Sequence, residues 1–158
     1  MDTGVIQTNT QFDELRTRLH PNCIVCNSNN SRGLGLVFVL QPDGRVSADF
    51  ELDCTYEGYR GCPHGGVTCA ILDACMGQWL FAHGLNGLTA ELNIRFRHPI
   101  QLGAAGTVLA ELERASHPLY ILKAQVIQND QLMARATGKF LYNSELAKCT
   151  SGDCDNKY

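Results

Sequence analysis

The sequence has no excess of basic residues and no apolar segment at its N-terminus. Its 13 Lys and Arg residues are spread along the chain and are outnumbered by 16 Asp and Glu residues, giving a formal net charge of −3 at pH 7. This distribution provides no positive field for nucleic acid or for an anionic membrane surface. The first 13 residues are polar, so we expect no signal peptide. These absences predict a cytoplasmic protein whose partners include neither nucleic acid nor a membrane.

Cysteine is plentiful, with eight residues, but a disulfide framework is not expected. A chain of 158 residues is long enough for one domain with its own core, and cysteines in a reducing compartment are thiols or metal ligands. Cys23 and Cys26 form a CxxC pair, but no second pair has zinc-ribbon spacing and the context is not that of a redox site. The sequence therefore predicts free thiols and no metal or cofactor. The residues that could nevertheless complete a metal site are His20, Cys54, Cys62, Cys149 and Cys154.

Residues 64–82, HGGVTCAILDACMGQWLFA, form the stretch around which the chain is organised. Two glycines precede a run with almost nothing polar, and a helix that is apolar on nearly all sides must be surrounded by other structure. The run is interrupted and too glycine-edged for a membrane span. Asp73 is its one carboxylate. Because burial of an unpaired carboxylate is unfavourable, proteins usually neutralise it, pair it or use it.

Strand-like segments occur on both sides of this helix. An apolar run at 36–40 and an alternating run at 45–52 flank the turn sequence QPDG, and together they predict a hairpin. Four later segments of about ten residues, separated by turn residues, predict an antiparallel meander. Their approximate ranges are 88–96, 106–114, 120–128 and 132–142.

The lengths of these elements predict the fold. A helix of about 18 residues is about 27 Å long, and strands of about ten residues reach about 33 Å. One curved antiparallel sheet of about six strands can therefore wrap the helix along its whole length. This is the α+β arrangement called the hot-dog fold.

A short amphipathic helix is predicted before this domain, capped by Thr10, with Phe12, Leu15 and Leu19 on one face. It would act as a lid or clasp. The end of the chain is polar and is expected to fray. The predicted division is an N-terminal helix and cysteine-containing entry loop (1–34), the hot-dog domain (35–143) and a polar tail (144–158).

The start of the central helix resembles a known family. His64-Gly65-Gly66 followed by Asp73 is similar to the HGG…D signature of PaaI-like (phenylacetate-type) hot-dog thioesterases. The segments CIVCNSNNSRGLGL, YEGYRGCPHGG and TAELNIRFRHPI resemble one bacterial branch of that family, and the similarity covers about residues 20–142. The resemblance implies hydrolysis of acyl-coenzyme A, with coenzyme A as part of the substrate. It also implies a homodimer or homotetramer with sites at the subunit interface.

Thioester hydrolysis needs hydrogen-bond donors for the developing oxyanion and a base or nucleophile on the other side of the carbonyl. The first N–H groups of a helix have no intrahelical acceptor, and glycines let a ligand approach closely. We therefore predict that the Gly65 amide is the oxyanion donor, with Gly66 as a second donor. The alternative is that both glycines only permit a tight turn and close packing.

Asp73 is the predicted base or nucleophile. It lies eight residues beyond Gly65, about 12 Å along the helix axis, so one carbonyl cannot contact both. If both are catalytic, they must come from two subunits whose helices run antiparallel across a two-fold axis. Apolar neighbours should raise the pKa of Asp73. The alternative is a structural Asp that accepts a backbone hydrogen bond at the dimer interface.

Less specific features of the sequence predict further residues of the site. The resemblance implies that Thr89 positions the attacking water. His64 could orient the loop, cap the helix or contact the thioester sulfur. Helical periodicity places Cys69 and Met76 on the Asp73 side, where, like the neighbouring Ala70 and Gly77, they would leave room for an acyl group.

The loop before the helix departs from the family pattern. Relatives often have Asn or Gln six residues before the histidine, whereas this chain has Gly58 beside Glu57, and the resemblance implies that the branch with the similar lead-in also has glycine there. Glu57 could substitute for that amide or be a solvated charge. Arg60 and Arg97 are candidates for contacts with coenzyme A phosphates. The alternative function is a non-catalytic hot-dog module that binds an acyl-CoA or another apolar ligand.

Overall fold

The structure is a computed structural model that describes residues 8–148. Most of the tail that was expected to fray, 149–158, lies outside the described residues. Short 3₁₀ helices occur at Cys54–Tyr56 and Ser144–Lys148. The main elements are α1 (Asn9–Leu19), β1 (Val39–Leu40), β2 (Val46–Glu51), α2 (Gly65–Ala82), β3 (Gly87–Phe96), β4 (Ala105–Ser116), β5 (Leu119–Gln128) and β6 (Gln131–Tyr142).

The six strands form one antiparallel sheet in the order β1-β2-β4-β5-β6-β3. β4, β5 and β6 make the predicted meander, joined by two-residue turns at 117–118 and 129–130. The prediction was wrong at β3, which pairs with β6 and not with β4. The link 97–104 is long enough to carry the chain across the sheet. This crossover places β3 at one edge of the sheet.

α2 packs against β2, β3, β4, β5 and β6, which confirms a six-stranded sheet around one central helix. Its length and mean hydropathy of 1.2 would also suit a membrane span, but these are the properties of a core helix, and ten of its 18 residues are buried in the fold. The enclosure is incomplete on one side. Gly66, Ala70, Asp73 and Gly77 follow one another at helical spacing and are exposed or half-buried.

The N-terminal segment packs onto the same core. Phe12 of α1 is fully buried in the cluster that contains α2 and the sheet. The predicted cap at Thr10 was wrong, because Thr8 caps α1. The Thr8 hydroxyl accepts from the Gln11 N–H at 3.3 Å, and the Gln11 side chain accepts from the Thr8 N–H at 3.0 Å. This reciprocal capping box fixes the start of the helix.

Candidate active site

The loop before α2 packs tightly against His64, the residue that immediately precedes the helix. A Cβ atom at Gly58 would lie 2.8 Å from the His64 Cα, so a side chain does not fit there without moving the cap. A side chain such as the Asn or Gln of the family pattern therefore has no room at this position in this chain. The Glu57 carboxylate also has a partner within the loop. It accepts a hydrogen bond from the Gly61 N–H at 2.7 Å, which stabilises the loop.

His64 is the N-cap of α2. Its Nδ1 accepts from the Gly66 N–H at 3.0 Å, which agrees with the capping alternative for this residue. The prediction of Gly66 as a second oxyanion donor is therefore corrected, because its N–H is already bound to the cap. The Gly65 N–H has no acceptor among residues 8–148, and Gly65 is exposed. One helix N-terminal donor thus remains open to a ligand.

A groove of about 410 Å³ adjoins Gly65. Arg97 lines it, whereas Arg60 is exposed outside it, and a contact of either residue with coenzyme A stays a prediction. The groove also contains Tyr59 and Phe96, which are 90% and 53% exposed and which the sequence reasoning missed. An aromatic residue in a loop or strand gives no sequence signal of exposure. A Gly65 Cβ would lie 3.7 Å from the Phe96 ring, so the end of β3 adjoins the start of α2.

Asp73 and Thr89 are brought together from α2 and β3, as predicted. The Thr89 hydroxyl donates to Asp73 Oδ1 at 2.8 Å. The register of β3 against β6 shifts between Thr89 and Glu91, and such bulges redirect side chains next to functional sites. Asp73 is half-buried, while Thr89 is exposed in the single chain. The pair therefore lies on an open face.

The environment of Asp73 favours its neutral form. Burial among apolar neighbours raises its pKa, the hydrogen bond from Thr89 opposes this, and the charge of Cys23 raises the pKa further. The predicted direction is confirmed. A carboxylate with a raised pKa is a better proton acceptor than an ordinary surface Asp, which suits a general base.

Asp73→Asn is expected to raise the melting temperature at neutral pH. Because the folded-state pKa is raised, the fold favours the protonated acid, and stability is lost as the pH rises through that pKa. Asn stays neutral, so the difference should vanish below the ordinary Asp pKa. Thermal melts at both pH values measure it. A lower melting temperature at neutral pH would contradict the expectation, and Asp49→Asn is the matched control, because Asp49 is exposed and accepts from Thr107 at 2.7 Å.

The space beside Asp73 differs from the prediction at one residue. Cys69 is half-buried on the open side of α2, as expected. Met76 is fully buried, and its Sδ and Cε atoms would lie 3.0 Å from a Cβ at Gly138. Met76 follows Asp73 by three residues, so its side chain is rotated around the helix axis by about 300°, which equals about 60° in the opposite direction. This rotation directs Met76 from the Asp73 side towards the sheet. Met76 is therefore a core residue, and its assignment to the acyl space was wrong.

A larger groove of about 510 Å³ lies on the outer face of β3–β6. Arg95, Lys123 and Arg135 line it, but it contains neither Asp73 nor Gly65. Glu111 supplies a carboxylate there, but the groove has no helix N-terminal amide to act as the oxyanion donor. The smaller groove at Gly65 is the better candidate.

Residues 61–133, which include Gly65, Asp73 and Thr89, match the sequence pattern of the Thioesterase superfamily. Acyl-coenzyme A thioesterase THEM4 of Rattus norvegicus is 26% identical over 114 residues, which is 69% of this chain and 49% of the relative. The chain thus spans about half the length of the curated relatives it matches.

Solved structures share the fold. PaaI of E. coli, from the phenylacetic acid degradation operon, superimposes with a TM-score of 0.73 at 14% identity, over 87% of this chain and 97% of that one. A Streptococcus mutans protein, solved with acetyl-CoA bound, gives a TM-score of 0.64 at 19% identity, over 68% and 88% of the two chains. At these identities the comparison establishes the fold.

Proposed function

We propose that this chain, which has the hot-dog fold and whose residues 61–133 match the Thioesterase superfamily, hydrolyses acyl-coenzyme A thioesters at the interface of a homodimer. The observation that carries the proposal is the half-buried Asp73 held by Thr89 at 2.8 Å, on the same helix as the unoccupied N–H of Gly65. The names of the curated relatives and the acetyl-CoA in the Streptococcus mutans protein support this substrate class.

The dimer follows from the distance between the two functional groups. Gly65 and Asp73 are eight residues apart in α2. This separation is about 12 Å along the helix axis, so a single thioester carbonyl cannot contact both residues of the same chain. A second copy with an antiparallel helix supplies the missing group. The half-buried strip beside Asp73 is the face of α2 that such a copy would cover.

β3 offers the surface for this pairing. It is a ten-residue edge strand, and Leu88 and Phe96 on it are each 53% exposed. A long exposed edge strand favours pairing with another strand. An antiparallel β3–β3 pair centred on Asn93 would bring the bulge at Thr89 and Ala90 of one copy opposite Phe96 of the other. Because Phe96 adjoins Gly65, this register places Asp73 of one copy beside the Gly65 N–H of the other.

The proposed chemistry uses these two groups on one carbonyl. The Gly65 N–H donates to the carbonyl oxygen and stabilises the oxyanion, and Arg97 in the adjoining groove contacts the anionic coenzyme A. Asp73 promotes attack, either by accepting a proton from water or as the nucleophile, while Thr89 fixes one carboxylate oxygen. The products are the carboxylic acid and free coenzyme A thiol.

Thiol release from short, medium, long and aromatic acyl-CoAs tests the proposal. We expect at least one class to be hydrolysed well above the uncatalysed rate. The competing function, a binding module without turnover, is favoured by the absence of a side chain at Gly58. Acyl-CoA binding with no thiol release from any class would contradict catalysis and support that module.

A further inference from the structure

His20, Cys23 and Cys26 form a cluster that the thioesterase chemistry does not use. One ligand atom from each, an imidazole nitrogen or a sulfur, lies within 4.8 Å of both others. Cys26 is buried, and His20 and Cys23 are half-buried. No other group of three such residues occurs within residues 8–148. The cluster lies where the chain leaves α1 and turns against α2.

The separations suit a tetrahedral metal. With Zn–S of about 2.3 Å and Zn–N of about 2.0 Å, neighbouring ligand atoms lie about 3.5 to 3.8 Å apart. Cys26 Sγ and His20 Nδ1 are 3.5 Å apart. The distance between the two ligand atoms that are farthest apart would need to shorten by no more than about 1 Å, which side-chain rotation can provide. Two thiolates with one imidazole are typical ligands of Zn²⁺.

The surroundings of the cluster hold the ligands in place. The Val25 N–H donates to Cys23 Sγ at 3.4 Å, and the Gln78 amide donates to Cys26 Sγ at 3.4 Å. Hydrogen bonds of this kind stabilise metal-bound thiolates and orient them. Gln78 is fully buried, and within the described residues its Oε1 has no partner. Within the described residues, the side-chain hydrogen bond of Gln78 is thus the one that its Nε2 donates to the cluster.

The imidazole is also fixed. The ring of Phe81 contacts His20 edge-on, with centroids 4.8 Å apart. The Asn27 side chain donates to the His20 backbone carbonyl at 2.9 Å and closes the turn that carries the ligands. A disulfide between the two cysteines would need neither the histidine nor these contacts. The arrangement of three ligands thus favours a metal over a redox pair.

We propose that His20, Cys23 and Cys26 bind one Zn²⁺ ion. Both cysteines bind as thiolates, any proton that they still carry is released to solvent, and water fills the fourth position on the half-buried side of the cluster. The ion would fasten the turn after α1 to Gln78 and Phe81 of α2. This revises the expectation of free thiols, and it does not depend on the proposed hydrolysis.

Metal analysis of untagged protein, purified in reducing buffer without chelator, tests the site. We expect about one zinc per chain, with content reduced at least about fivefold in Cys23→Ser and Cys26→Ser. Cys54→Ser is the matched control, because Cys54 is exposed and outside the cluster. Zinc content that is equal in the control and in Cys23→Ser would overturn the proposal.

Cobalt titration of the chelator-treated wild type covers the case in which a serine variant fails to fold. Thiolate-to-cobalt absorption that saturates at about one ion per chain, is displaced by zinc and accompanies a higher melting temperature supports the site. Absence of these bands in a folded wild type would overturn it. A Cys23–Cys26 disulfide found by mass spectrometry in the reduced preparation would also overturn it.

Discussion

Asp73→Asn will lower kcat/KM for the best acyl-CoA substrate by about 100- to 10,000-fold, the usual contribution of a positioned base. Asn has nearly the same shape as Asp and can still accept a hydrogen bond from the Thr89 hydroxyl. In the wild-type chain this hydroxyl donates to Asp73 Oδ1 at 2.8 Å. Asn cannot accept a proton or attack a carbonyl. The loss should therefore be in kcat, with little change in KM. Steady-state thiol release measures both constants.

The control for this loss is Asp49→Asn. Asp49 also accepts a threonine hydroxyl, from Thr107 at 2.7 Å, but it lies on β2, away from α2. Its replacement should leave kcat/KM unchanged. Light scattering should show that both variants keep the oligomeric state of the wild type. Nearly full activity in Asp73→Asn would rule out Asp73 as base or nucleophile.

Local sequence pattern predicted the parts of the site that depend on one helix. The apolar stretch with Asp73 gave the central helix to within one residue, and the helix start identified Gly65 as an open donor. The capping of α2 by His64 was one of three alternatives. Its consequence, that the Gly66 N–H is occupied, needed the observed 3.0 Å contact.

The remaining features depend on contacts between distant segments. Strand order was not predictable from periodicity, because the crossover that places β3 beside β6 involves residues far apart in sequence. The orientation of Met76 was predicted wrongly because its side chain differs from that of Asp73 by only a small angle around the helix axis. That angle is enough to place Met76 in the core while Asp73 stays on the open side. His20 was recognised as a ligand candidate, but only the turn after α1 shows it beside Cys26.

Gly65→Pro will lower kcat by about 100- to 1,000-fold, the effect expected on removing one oxyanion donor. Gly65 is the first residue of α2, a position where proline is favoured because its missing N–H has no intrahelical acceptor. His64 has φ −58° and ψ 138°, the extended conformation that a residue before proline requires. The substitution thus removes the N–H while keeping the helix start.

Gly65→Ala separates the loss of the N–H from the added bulk. It retains the amide, and its Cβ would meet the Phe96 ring at 3.7 Å, an ordinary contact. We expect Ala to keep most of the activity that Pro loses. Equal losses in both variants would indicate that space beside Gly65, and not its N–H, is what the reaction needs.

Combining the two inactive variants tests whether each site is shared between subunits. In a heterodimer of Gly65→Pro and Asp73→Asn chains, one of the two shared sites keeps both its Gly65 N–H and its Asp73 carboxylate. Such a heterodimer, co-expressed with two different tags and purified through both, should recover about half of the wild-type activity per dimer. If Gly65 and Asp73 of the same chain served one carbonyl, each chain would carry a defect and no activity would return. Recovery therefore requires that Asp73 of one copy lies opposite Gly65 of the other, as pairing through β3 would place them.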